Sequence, residues 1–188
     1  CATAATQAAF RVLHTGAFEP TVQITLPKGQ TPNFELVQQK LTRGSAIASV
    51  IKDAGDDPDV THEAEIVAEV RLSEDATGGR LFAGNGVGTV TLPGLPLAVG
   101  EPAINPSPRS MIVSAIQDIC IELGVSGNVD VTISIPGGEQ LALKTMNGRL
   151  GIKGGLSVLG TTGVVIPYSC SSWIHSIHRG VDVAKEQG

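Results

Sequence analysis

The densest group of chemistry-bearing side chains lies in residues 52–61, KDAGDDPDVT, where Asp53, Asp56, Asp57 and Asp59 follow Lys52. Carboxylates at that density suit a hard cation such as Ca²⁺ or Mg²⁺. The spacing does not reproduce an EF-hand loop, and no Glu stands where its bidentate closing ligand belongs. Asp and Gly also build turns through hydrogen bonds to their own backbone. A structured turn is therefore the reading adopted, and no metal is assigned. A second group is the run Gly84-Asn85-Gly86-Val87-Gly88. Glycines at this spacing let backbone approach a phosphate closely. The dinucleotide fingerprint opens a helix, however, whereas this run leads into Thr89-Val90-Thr91, which reads as a strand. A tight turn or bulge fits better, with a phosphate loop as the alternative.

His175 and His178 stand three apart on a predicted helix and share a face, five and eight residues after Cys170. A structural zinc site needs four ligands in paired short spacings, and only one such pair exists here. Cys1 sits at a predicted helix start, where the dipole lowers a thiol pKa, but no mechanism is built on it. The cations Arg109, Lys144, Arg149 and Lys153 lie near glycine-rich turns. In an acidic chain that grouping points to an anionic small ligand, and Arg suits bidentate carboxylate binding. Plain surface charge is the competing reading. No Ser-His-Asp order, paired catalytic carboxylates or P-loop emerges.

The elements that position these residues follow from periodicity. Residues 1–16 are expected to form an Ala-rich helix closed by Gly16. Strands are expected over 21–26, 45–52, 64–72, 80–83, 89–92 and 128–135, with 75–79 as a hairpin turn between the third and fourth. Residues 93–108 hold five prolines and read as a rigid, irregular connection, a candidate crossing between subdomains. Apolar residues at helical spacing place a helix over 110–123, ending at Gly124. Residues 137–165 are glycine-rich and mixed, and 169–185 reads as a last helix. The order helix, strands, helix, strand, helix implies an α+β (mixed α/β) fold, with a mixed sheet packed against helices, rather than a doubly wound repeat.

Composition narrows the function classes. Hydrophobic residues make up 41% and charged ones 16%, so the 188-residue chain can bury a core. Aromatics are only 3%, which leaves that core to Val, Ile, Leu and Ala. The net charge of −5 with scattered cations excludes a generic nucleic-acid binder. No apolar run approaches the roughly 20 residues of a membrane helix, and no leader pattern is present. Three cysteines without tight spacing do not form a disulfide framework. A cytoplasmic compartment is expected. The opening CATAATQAAF and the closing HRGVDVAKEQG read as truncated ends.

Four segments, taken in order, resemble the CbiD family of cobalt-precorrin-5B (C-1) methyltransferases. They are the opening Cys1 to Ala5, KDAGDDPDVT at 52–61, GVGTVTLPGLPLAVGEPAINP at 86–106 and TMNGRLGIKGGLSVLGTTG at 145–163. The family opens with a Thr-Gly-Thr-Cys-Ala type of stretch, of which the part from Cys1 is present. The chain departs from the pattern at Ile166-Pro167-Tyr168-Ser169, where many relatives carry Glu-Pro-Met-Ser. The resemblance implies that residues 1–188 are the amino-terminal domain of a two-domain methyltransferase. It implies S-adenosylmethionine as methyl donor, bound largely by the other half, and a carboxylate-rich cobalt tetrapyrrole as substrate, with cobalt only as part of that substrate. On it, Arg109, Lys144, Arg149 and Lys153 become the candidate cations for the substrate carboxylates, and Thr161 and Thr162 the candidate hydroxyl donors. Lys52, Asp53, Asp56 and Asp57, with Gly86, Gly88, Glu101 and Asn105, become the candidate loop positions. No catalytic acid or base is assigned, since an in-line methyl transfer asks chiefly for alignment and a dry approach. A homo-oligomer is compatible with the sequence. The rival readings are a nucleotide-binding, small-molecule kinase-like domain using Gly84 to Gly88, and a non-catalytic tetrapyrrole-binding module.

Overall fold

The structure is a computed structural model that describes residues 1–75, 78–160 and 162–186. Helix α1, Ala2–Thr15, presents Ala4, Ala5, Ala8, Ala9, Phe10 and Val12 to the core. Its small side chains let the helix axis lie close to the sheet beneath. It ends where Gly16 turns left-handed and donates its N–H to the Val12 carbonyl at 2.8 Å, a cap that favours glycine. Strand β1, Thr21–Gln23, pairs with β2, Asn33–Glu35, as a small antiparallel ribbon. The expected strand over 21–26 is thus shorter, because the Ile24 and Leu26 N–H groups bond the Pro32 and Gln30 carbonyls outside the ladder.

The main sheet is built from β3 (Gln39–Thr42), β4 (Ser45–Ile51), β5 (Glu65–Leu72) and β6 (Gly79–Ala83), with β9 (Val129–Ser134) from later in the chain. Between β6 and β9 come β7 (Gly86–Val87), β8 (Thr89–Val90) and α2 (Pro106–Leu123). After β9 follow α3 (Gly138–Ala142), β10 (Ile152–Lys153), β11 (Gly155–Leu156) and α4 (Cys170–Glu186).

The five-stranded order is β3-β4-β5-β9-β6, antiparallel except that β6 runs parallel to β9. This corrects the expected hairpin at 75–79: β5 and β6 are not neighbours, because β9 is inserted between them. The reason is burial. Val129, Val131 and Ile133 of β9 are all completely buried, which favours an interior place, and β9 takes it between β5 and β6. Strand β6 alternates between half-buried and exposed residues and suits an edge.

Helix α2 begins at Pro106, four residues ahead of the expected start at 110. Proline at the first helical positions loses no hydrogen bond and arrives with its φ already helical. Pro108, Ile112, Ala115, Ile116 and Ile119 form its buried stripe. Helices α1 and α2 pack together on one face of the sheet, with Phe10, Val12, Ile112, Ile116 and Ile119 against Val50, Val70, Val131 and Ile133 in one continuous core. Arg11 and Glu122 join the two helices by a bidentate pair at 2.8 and 2.5 Å.

Candidate functional site

Register places several motif-bearing segments at one end of the sheet. Ile51, the last residue of β4, pairs with Glu65, the first of β5. Ser134, the last of β9, pairs with Val67, and Ala83, the last of β6, pairs with Ile133. The carboxyl ends of β4, β6 and β9 therefore share one edge. The acidic loop leaves from β4, the glycine run from β6, and α3 follows directly from β9. Helix α2 starts from the knot that the glycine run builds, so its N-terminus faces this end too. Cys1, at the start of α1, lies within electrostatic reach of Lys52.

Three sequence-distant stretches are knitted there by backbone bonds. Strand β7 pairs in parallel with β11 and β8 antiparallel with β10. The Gly88 N–H bonds the Leu156 carbonyl and the Ala103 N–H bonds that of Gly88, each at 2.8 Å. The Val158 N–H then bonds the Ala103 carbonyl at 2.8 Å, and the Asn105 N–H that of Val158 at 2.9 Å. Val90, Leu97, Ala103 and Ile152 form a small separate core inside this knot. The irregular connection after β8 is thus pinned on both sides before it enters α2.

Gly86 and Gly88 serve this knot rather than an open phosphate cradle. Gly86 is left-handed, and a Cβ there would run into the Ile135 carbonyl. A Cβ on Gly88 would strike Ile152, one on Gly138 the Gly86 carbonyl, and one on Gly155 the Gly86 backbone. The space that a phosphate would need at these two glycines is filled by protein, which corrects the phosphate-loop alternative.

Arg109 sits in the first turn of α2 and is engaged within the fold. Its Nη1 lies 3.7 Å from Glu101 Oε1, and its Nε donates to the Ile104 carbonyl at 3.5 Å. Glu101 in turn accepts the Ala98 N–H at 3.1 Å. Arg109 Nη2 is buried and has no hydrogen-bond partner among the described residues, so one nitrogen of the guanidinium remains uncommitted there. Asn105 is the N-cap of α2 through its backbone and not its side chain, and the first turn carries no acidic residue. That leaves the positive end of the helix dipole unneutralised.

Lys144, Arg149 and Lys153 are exposed, and their side chains form no hydrogen bond or ion pair among the described residues. Arg149 stands on the turn at 147–152, whose anchor, Asn147, was not singled out from the sequence. Asn147 is buried, accepts the Ser157 hydroxyl at 3.1 Å through Oδ1, and its carbonyl takes the N–H groups of Leu150 and Ile152. The Asn147-Gly148 pair is a turn signal that would have marked it. Thr91 adds a second tie, with N–H and hydroxyl both donating to the Gly151 carbonyl at 2.7 Å.

The acidic loop is a structured turn. Lys52 Nζ donates to the Asp59 carboxylate and to the Thr61 hydroxyl oxygen. Asp59 also accepts the Thr61 N–H at 2.8 Å and its hydroxyl at 2.7 Å. Burial works to raise the Asp59 pKa, but the hydrogen bonds from Lys52 and Thr61 outweigh it and hold the carboxyl below its ordinary value. Asp53 accepts the Gly55 N–H at 2.8 Å, and Asp57 accepts the Tyr168 N–H at 3.1 Å, tying the loop to the lead-in of α4. Asp56 and Asp57 lie at the loop's tip. Lys52 is thus committed to the loop and is not a free cation. The Thr162 hydroxyl donates to the Val164 carbonyl at 3.1 Å and accepts its N–H at 3.4 Å, a local turn in place of the expected outward donor. Thr161 lies outside the described residues.

Together these features define a two-layer α+β domain whose loops gather at one end of a mixed sheet, beside helix N-termini and uncommitted cations. The CbiD family model matches residues 1–167, and the chain belongs to the CbiD family. It is 56% identical over all 188 residues to a cobalt-precorrin-5B C(1)-methyltransferase of Brucella anthropi, of which it covers 51%. A protein of the same name from a Bradyrhizobium species is likewise 56% identical over the whole chain and is covered to 50%. The crystal structure of the cobalamin biosynthesis protein CbiD from Archaeoglobus fulgidus superposes with a TM-score of 0.65 at 30% identity, over 94% of this chain and 56% of that one. The chain spans about half the length of the curated relatives it matches. No helix among the described residues is long and apolar enough to cross a membrane.

Proposed function

We propose that this chain forms one half of a cobalt-precorrin-5B C-1 methyltransferase, and that its sheet end carrying the knot grips the carboxylate arms of the tetrapyrrole. The observation that carries this reading is the convergence of the family's distinctive motifs on that one end. Gly86 to Asn105 and Asn147 to Val158 are interlaced there, with α2 starting from the same knot and Arg149 and Lys153 exposed on it. A polycarboxylate needs cations and outward N–H groups, and helix N-termini supply partial positive charge besides. The names of the relatives support a cobalt-precorrin as the substrate of this reading.

The methyl donor of the reading is S-adenosylmethionine, which supplies an electrophilic methyl group. The described residues do not fit it alone. One hollow of about 250 Å³ lies against α1 and β1, lined by Gln7, Arg11 and Phe18, and another of about 240 Å³ lies between α1 and α2, lined by Thr3, Met111 and Asp118. Neither reaches the roughly 300 Å³ at which small-molecule pockets begin, and neither is lined by a candidate cation. What this chain's residues do in the reading is bind and orient: Arg149, Lys153 and Lys144 pair with carboxylates, and the pinned knot fixes where those charges stand.

The test is a full-length chimera in which these 188 residues replace the matched segment of the Brucella anthropi relative. Incubated with cobalt-precorrin-5B and methyl-labelled donor, it is expected to yield a product one methyl heavier. A folded chimera that gives no labelled product, beside an active relative, would rule the reading out.

A further inference from the structure

Helix α4 is tied to the body near its two ends and bare along most of its length. Before it, the Tyr168 N–H donates to Asp57. In its last turn Val183 is buried, and Gly94 approaches so closely that a Cβ there would lie 2.7 Å from the Val183 Cα. Between these ties Trp173, Ile174, Ile177 and Val181 are 72, 53, 60 and 44% exposed. Spacings of three and four put them on one stripe of the helix. In the lead-in to the helix Ile166 and Tyr168 are exposed as well, at 59 and 73%. A concentrated apolar patch of this kind marks an interface. A helix of 17 residues also draws most of its stability from packing that stripe, which this domain leaves unpacked.

We propose that the stripe on α4 is the seat of the other half of the family polypeptide. One observation selects that occupant. The relatives match this chain through α4 at 56% identity, yet carry about as much polypeptide again outside the matched residues. A second copy of this chain is the rival occupant, and the sedimentation measurement below separates the two. The partner face is apolar, because the stripe offers no charge, while Arg179 and Asp182 pair with each other at 3.4 Å. The inference rests on family membership and not on the methyl-transfer reading.

Hydrogen exchange read by mass spectrometry tests it on the 188-residue chain and on the chimera described above. The peptide spanning α4 is expected to exchange at least about tenfold more slowly in the chimera than in the chain alone. The chain alone should sediment as a monomer. In the chimera Ile177→Asp is expected to abolish the extra protection and Ile177→Leu to keep it; in the chain alone neither changes the fold, because the residue is exposed. Equal, fast exchange in both proteins overturns the proposal, as does protection in the chain alone accompanied by a dimer, which would assign the stripe to a second copy. If the chimera does not fold, the same comparison on the full-length Brucella anthropi relative and its matched half carries the same two outcomes. Exchange does not depend on turnover, so an inactive chimera with a protected α4 removes the methyl-transfer reading and leaves this one standing.

Discussion

Lys52 uses its charge inside the loop that it introduces. Its ammonium closes a ring with Asp59 and Thr61, each of the paired side chains about a quarter exposed. Removing the ammonium leaves a partly desolvated carboxylate, so Lys52→Met is expected to lower stability by about 1–2 kcal/mol in urea unfolding. The Asp59 carboxyl is held below its ordinary value of 3.8, so it stabilises the fold above that pH and ceases to do so as pH falls through the lower, folded value. Thermal melts between pH 2 and pH 6 are expected to fall less steeply on the acid side in Asp59→Asn than in the parent; parallel curves would remove this carboxylate as a source of acid lability. Glycines give a second contrast. Gly86 and Gly137 share a left-handed φ, 74° and 76°, but only at Gly86 does backbone fill the space of a side chain. Gly137→Ala is expected to cost roughly 1–2 kcal/mol, the left-handed penalty alone, and Gly86→Ala clearly more, measured as urea midpoints. This difference explains why the glycine run was legible as a special backbone and illegible as to purpose: a glycine that admits a phosphate and one that admits a neighbouring strand look alike in sequence. The Lys52 ring was equally hidden, since residue type announces a cation and not whether a carboxylate seven residues on has already claimed it.

Helices α1 and α2 were readable because a local pattern defines each of them. The stripe Ile112, Ala115, Ile116 and Ile119 predicts a buried face, and Gly124 a left-handed stop; both are found. The two isoleucines Ile116 and Ile121 test that stripe within one helix, being 2 and 83% exposed. Ile116→Ala is expected to cost about 2–4 kcal/mol through the cavity it leaves, whereas Ile121→Ala should change stability by less than about 0.5 kcal/mol. Equal losses in urea unfolding would show that α2 packs through another face. Strands were legible as segments and not as neighbours. Strand β6 follows β5 within a few residues, and adjacency in sequence argues for a hairpin. What decides against it is β9, more than forty residues later, whose completely buried Val129, Val131 and Ile133 take the place between β5 and β6, a pairing that no local window contains. Strand β8 falls within the expected strand over 89–92 but keeps only two of its residues, while the two-residue strands β7, β10 and β11 escaped for a related reason: each is too short for alternation and is defined only by its partner.

The fold as a whole is polar in a sense that neither its residues nor its elements disclose. Net charge is −5, so a polyanion meets long-range repulsion and is held only where cations are concentrated and uncommitted. The sheet end with the knot offers Arg149 and Lys153, exposed and unpaired among the described residues, beside the N-terminus of α2. The opposite end carries Arg43 in the turn between β3 and β4, exposed but far from any glycine knot. If the reading of the sheet end is right, these cations are not interchangeable. In the full-length chimera Arg149→Ala combined with Lys153→Ala is expected to raise the KM for the tetrapyrrole about tenfold, on the order of 1 kcal/mol or a little less for each exposed charge-assisted contact. Turnover at saturation should be unchanged, because these groups hold carboxylate arms and not the reacting carbon. Arg43→Ala should alter neither constant. Raising salt should weaken binding by the parent more than by the double variant, since screening removes the attraction that the substitutions have already removed. A double variant with the parent's KM and the parent's salt dependence would show that the polyanion is gripped elsewhere, and that the cations on this end are surface charge alone.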